Sequence, residues 1–313
     1  MRGRLGLWKN RAEASSPGRS GMSETFTIGT AGITATITAH GAELASLRDA
    51  AGAELLWQAG PEWPRHAPVL FPIVGRLADD TLHHGGQKYT MAQHGLARDS
   101  LFTLVEEGPE RLVLRLTDSP ASRTQYPFGF VLDMIYAVAG SSLGVTARVS
   151  NPSETVLPCG IGAHPGFRWP LVDGIAKDAH VIEFEAKETG KALSVEGGLL
   201  GAEKPLPFDG QTLPLSEALF ARDALVMPDV ASRSVRFVAR GAEGETIRAI
   251  TVDWEGYRDL GLWSKPTGAP FLCIEPWLSM ASPVGWDGDF SDKPRLMHLA
   301  PGESREVVWR VTL

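Results

Sequence analysis

From Thr25 onward, side chains alternate between apolar and polar with a period of two. "ITATITAHGAELASL", "RLVLRLTD", "FVLDMIYAVAG", "LGVTARVSN", "SVRFVAR" and "SREVVWRVTL" all carry this pattern. Successive side chains of an extended strand point to opposite faces, so such a segment buries one face and wets the other. Gly, Pro, Asn, Asp or Ser bounds each segment, and 34 glycines and 22 prolines suit a chain that turns often. No stretch holds a helical period beyond a turn or two, the nearest approach being Leu215 to Phe220. No repeat of fixed period and no linker interrupts the chain after residue 22. The predicted class is all-β: one large antiparallel β-sandwich over residues 22–313.

The first 21 residues differ. They hold five basic residues against Glu13 alone, with Ser15, Ser16, Pro17 and Gly18 in a row, and are expected to form a disordered extension. The chain as a whole carries a net charge of -7, which disfavours nucleic acid as a partner. No uncharged run approaches the ~18 apolar residues of a membrane helix, so no membrane association is expected. Two cysteines, Cys159 and Cys273, without a dense cysteine pattern, favour a reducing, cytoplasmic setting.

Three segments break the strand pattern. "HAPVLFPIVGRL" (His66 to Leu77) contains two prolines and cannot be a regular central strand. "AQHGLARD" (Ala92 to Asp99) reads as a loop carrying His94 and Arg98, and "CGIGAHPGFRWP" (Cys159 to Pro170) is glycine-rich around His164. Loops on a rigid sheet are where binding groups concentrate. A fourth segment, "CIEPW" (Cys273 to Trp277), drives a carboxylate, Glu275, into the end of an apolar strand. A buried carboxylate needs a reason, because removing its charge from water costs several kcal/mol.

Other patterns carry less. "GSSLG" (Gly140 to Gly144) fits a serine-hydrolase elbow in letters only; a strand on either side makes it a hairpin turn. His83 and His84 are adjacent on an extended chain and point apart, a poor chelate. No metal, phosphate-loop or dinucleotide motif is present. Taken from spacing alone, His94, His164 and Glu275 read more readily as structural than as catalytic.

Four segments in order change that balance: Phe71 to Leu77 ("FPIVGRL"), His94 to Asp99 ("HGLARD"), Gly162 to Phe167 ("GAHPGF") and Cys273 to Trp277 ("CIEPW"). With them the chain resembles the aldose 1-epimerase (galactose mutarotase-like) family, in its bacterial branch, from about Phe26 to the C-terminus. The resemblance implies a β-sandwich whose concave sheet holds a sugar, consistent with the strand pattern. It implies Glu275 as general base at the anomeric hydroxyl, His164 as general acid at the ring oxygen, and His94 as a hydrogen-bond donor to the sugar. Arg76 would bind a sugar hydroxyl, and Asp223, by a looser match, would orient others. Trp277, like Trp63 and Trp263, either stacks on the sugar's C–H face or packs in the core.

Arg98 resembles the arginine of hexose-6-phosphate 1-epimerases, and a guanidinium suits a phosphate; its alternative role is to pair with Asp99. Leu96 stands where phenylalanine is usual in the branch, and Ala163 and Gly166 where glycine and alanine are common. These departures bear on packing. The expectation is an isomerase acting on a small-molecule hexose without metal or cofactor, with a homodimer left open. The competing readings are a hexose-6-phosphate 1-epimerase and a non-catalytic carbohydrate-binding sandwich.

Overall fold

A computed structural model describes residues 24–313; the predicted extension over 1–21 lies outside them. Two large antiparallel sheets dominate. The nine-stranded sheet runs, in spatial order, Gly210–Pro214, His180–Glu188, Ser234–Arg240, Thr246–Glu255, Ser304–Thr312, Ser142–Ser150, Val131–Ala139, Arg111–Thr117 and Thr103–Glu107. The eight-stranded sheet runs Leu199–Pro205, Lys191–Glu196, Leu225–Met227, Asp259–Trp263, Phe271–Leu278, Ile161–Ala163 and Val69–Leu70, with Gly166–Arg168 also pairing onto Phe271–Leu278. One continuous apolar cluster joins Val145 and Ala147 of the first sheet to Leu272 and Ile274 of the second, so this is the predicted β-sandwich.

The sequence alternation maps onto burial. Ile33–Thr38 and Ser142–Ser150 bury every second residue. "GSSLG" is the turn between Val131–Ala139 and Ser142–Ser150, with Ala139 opposite Ser142. The expected helical turn is a 3-10 turn over Glu217–Phe220, and all helical elements among the described residues are of this short kind. Among them, no helix is long and apolar enough to cross a membrane. The proline-rich "HAPVLFPIVGRL" supplies a two-residue strand, Val69–Leu70, and then leaves the sheet.

The strand Phe271–Leu278 departs furthest from alternation, since all eight of its residues are buried. It lies inside the sheet with neighbours on both sides, and its two faces look onto the core and onto the floor of a cavity.

Candidate active site

The meeting of Glu275 and His164 follows from strand register. On one side of Phe271–Leu278, Gly162 stands opposite Trp277 and Gly166 opposite Cys273. The two pairings belong to one unshifted antiparallel register, interrupted only where His164 and Pro165 leave the ladder. His164 therefore falls opposite Glu275, 111 positions along the chain, and its Nε2 lies 3.2 Å from Glu275 Oε2. Pro276, a residue without an N–H, is accommodated beside this interruption of the neighbouring strand.

Both groups line one cavity of about 370 Å³, within the range of small-molecule sites. Both are buried. Burial pushes the Glu275 carboxyl well above the ordinary carboxylate range, and the nearby Asp223 carboxylate pushes it further. The Trp277 indole alone opposes this, and weakly, because its Nε1 has no well-formed hydrogen bond among the described residues. Burial likewise drives the His164 pKa down to about 3, assisted by the Arg98 charge. The close approach is thus not a resting ion pair. Each partner is held toward its neutral form, and Glu275 Oε2 has no hydrogen-bond partner among the described residues.

His94 projects from the "AQHGLARD" loop. Its own N–H donates to Gly75 O (2.7 Å), and the Gly75 N–H donates to His94 Nδ1 (3.1 Å). An acceptor Nδ1 leaves the ring proton on Nε2, so the neutral ring is a hydrogen-bond donor in one defined tautomer. Burial, then the neighbouring His164, keeps its pKa well below that of a free imidazole. The His94 ring meets His164 edge-on at 5.5 Å between centroids.

Aromatic rings hold the imidazole in place. Trp63 stacks on His164 (4.9 Å, 30°) and Trp263 meets it edge-on (5.7 Å, 86°). Gly166 matters here, because a Cβ at that position would come within 2.9 Å of the Trp63 ring. The missing side chain at Gly166 leaves the Trp63 ring its place. Trp277 sits in a comparable slot on the cavity wall. A Cβ on Gly162 would lie 2.8 Å from its Cδ1, and one on Gly261 2.4 Å from its Cζ2. Gly261 is itself opposite Glu275 in the sheet, so two flanking strands leave space for one indole beside the carboxylate.

The remaining predicted residues separate. Asp223 and Arg98 line the cavity. Asp223 Oδ1 accepts from the Ala224 N–H (2.7 Å). Arg98 is mostly buried, and its Nε stands 3.6 Å from Asp99 Oδ2 without forming a hydrogen bond. Burial and the Arg65 charge lower its pKa to about 10, so it stays cationic at neutral pH. Arg76 is not among the lining residues. Its guanidinium grips Asp80 through two bonds of 2.6 Å, on a half-exposed surface beside Gly198.

Gln93, beside His94, also lines the cavity, as do Val195, Gly198 and Leu200 from the hairpin Lys191–Glu196/Leu199–Pro205. Sequence reading marked the "AQHGLARD" loop but not Gln93. It had no means to mark the hairpin, because an apolar strand residue reads alike whether it faces a core or a cavity. As to metals, His164, Cys273 and Glu275 form a compact donor group.

Known proteins give a consistent picture. The family model described as Aldose 1-epimerase matches residues 24–279. Protein LacX (plasmid) of Lactococcus lactis subsp. lactis is 30% identical over 271 residues, covering 83% of this chain and 89% of LacX. A galactose mutarotase related enzyme from Lactobacillus acidophilus superposes with a TM-score of 0.84 at 31% identity, over 92% of this chain and 97% of that one. A galactose mutarotase-like protein from Lactobacillus casei gives 0.85 at 25% identity, over 92% and 99%.

Proposed function

The chain belongs to the aldose 1-epimerase family, and on that footing we propose that it interconverts the α and β anomers of a hexose by general acid–base catalysis. The observation that carries this reading is the 3.2 Å approach of His164 Nε2 to Glu275 Oε2 on the floor of a cavity able to take one pyranose. The two oxygens of a hemiacetal share one carbon, so an acid and a base a hydrogen-bond length apart can address both.

The pair shares one proton; in the tautomer that carries it on His164 Nε2, the Glu275 carboxylate takes the proton from the anomeric hydroxyl O1 while His164 delivers its own to the ring oxygen O5. The C1–O5 bond breaks as the C1–O1 double bond forms. Rotation about C1–C2 turns the other face of the aldehyde to O5, and closure reverses both transfers. The pair holds one proton before the reaction and one after, which suits groups that burial biases against charge. His94, with its proton on Nε2, donates to the sugar and supports negative charge as the ring opens. Asp223 accepts from a sugar hydroxyl. Trp277, Trp63 and Trp263 offer ring surface to C–H faces.

A second reading, hexose 6-phosphate as substrate, is favoured by Arg98, a mostly buried cation on the cavity wall whose Nε has no hydrogen-bond partner among the described residues. Polarimetry on freshly dissolved α-glucose, α-galactose and α-glucose 6-phosphate tests both readings. Faster equilibration of the free sugars is the expected result. If the phosphate is preferred, and Arg98→Gln removes that preference while sparing the free sugars, the second reading replaces the first. Sugar binding with no gain in anomerisation rate would instead mark a carbohydrate-binding sandwich without activity.

A further inference from the structure

Anomerisation as derived above leaves Cys273 without a role. The residue is two positions before Glu275 on the same strand, so both side chains leave the same face. Its thiol is buried with Phe271 and Ala269 against Trp57, Trp63 and Trp263. One donor atom each from His164, Cys273 and Glu275 lie within 4.8 Å of one another. One imidazole nitrogen, one sulfur and one carboxylate oxygen, with a cavity on the remaining side, is the composition of a three-ligand zinc site with an open fourth position.

We propose that His164, Cys273 and Glu275 bind a thiophilic divalent cation of the Zn²⁺ class, and that the bound ion blocks epimerisation. The inhibitory half rests on the assignment of His164 and Glu275 as the proton-exchanging pair; the binding half does not. Charge balance favours the site. A dication against one thiolate, one carboxylate and one neutral imidazole sums to zero, so the buried complex carries no net charge. The ion satisfies Glu275 Oε2, which has no hydrogen-bond partner among the described residues. Burial keeps the free Cys273 thiol protonated, but a coordinated thiol is deprotonated by the ion itself. Binding therefore releases the Cys273 thiol proton. Bonds of ~2.0–2.3 Å require the donors to close in from their present separations, within reach of side-chain rotation on a fixed strand.

Once bound, the ion holds the Glu275 oxygen that would accept the O1 proton and the His164 nitrogen that would serve O5. The test uses the full chain, stripped with a chelator, and Co²⁺ as a spectroscopic probe. Expected are tetrahedral d–d bands with a thiolate-to-cobalt charge-transfer band, displaced by Zn²⁺, and inhibition of anomerisation over the same Zn²⁺ range, reversed by chelator. Cys273→Ser, nearly isosteric, retains sugar turnover, loses the charge-transfer band and loses at least ~10-fold in sensitivity to Zn²⁺. Cys273→Ala reports the same should the serine hydroxyl perturb packing. Absence of the thiolate band in the parent protein, or Zn²⁺ inhibition unchanged in both variants, overturns the proposal. The cobalt spectrum reads the site even if no sugar is turned over, so failure of the site and failure of the assigned reaction are told apart.

Discussion

The nine-stranded sheet and the Glu275 strand of the eight-stranded sheet treat charge in opposite ways. On the outer face of the nine-stranded sheet, opposite charges face each other directly across the ladder: Arg148 with Glu306, Arg310 with Asp253, Arg236 with Glu183, and Arg115 with Asp133, the last aspartate itself buried. In the eight-stranded sheet, Glu275 sits inside a strand buried at every position, with neutral His164 opposite and Asp223 adding repulsion. Cross-strand pairs of the first kind support a sheet modestly. A carboxylate of the second kind costs stability, a cost that the proposed proton transfer would account for. The comparison yields an order of expected effects.

The largest effect falls on rate. Glu275→Gln and His164→Asn are each expected to lower kcat/KM for anomerisation by ~100-fold or more. The melting temperature of Glu275→Gln should be no lower than that of the parent, because a buried acid with an oxygen unpartnered among the described residues is replaced by a neutral isostere. Polarimetry and thermal unfolding on the same samples check both. If activity survives in the two variants, the contrast between the sheets carries no chemical meaning.

Gly261→Ala comes next. Its Cβ meets Trp277 at 2.4 Å, and overpacking of this kind costs about 1–3 kcal/mol as well as activity, since Glu275 lies opposite. Trp277→Phe removes the colliding part of the ring. The double variant should therefore recover ~1 kcal/mol or more relative to additivity, read by a denaturation cycle. Strict additivity would mean that the two-glycine slot does not hold the indole.

Dependence on pH separates the members of the pair. Burial holds the folded-state pKa of His164 at about 3, below the ~6.5 of an unfolded histidine. Between these values only the unfolded chain takes up this proton, so the parent loses stability as pH falls below ~6.5, and His164→Asn loses less. Glu275 has the opposite sign. Its raised folded-state pKa makes stability fall as pH rises from the ordinary carboxylate range, and Glu275→Gln removes that fall. Melting curves from about pH 4 to 8 that run parallel in all three proteins would contradict both assignments.

The smallest effect belongs to the nine-stranded sheet. Arg148→Ala breaks a half-exposed pair with Glu306 and should shift stability by no more than ~1 kcal/mol, with no change in anomerisation rate. A larger loss would show that this face contributes more than shape.

Arg98 and Arg76 show where legibility ended. Both stand in motif segments, yet Arg98 turns into the cavity and Arg76 grips Asp80 four residues away. Linear sequence gives an arginine no direction, because its long side chain takes whichever partner the fold brings within reach. Gln93 and the hairpin residues Val195 and Leu200 stayed unmarked for a related reason, since a cavity wall is a relation between distant elements.

By itself, the amino-acid order determined that this chain forms turn-rich strands with one wet face, and it marked His94, His164 and Glu275 as the residues to explain. Strand periodicity and motif chemistry are local properties, carried by a few neighbouring residues. Only the tertiary structure decided that a register interrupted at His164 sets that imidazole against Glu275, that Gly162 and Gly261 clear a slot for Trp277, and that Cys273 joins the same cluster. Those outcomes depend on which strands become neighbours and in what alignment, and that is settled by packing the two sheets around one core.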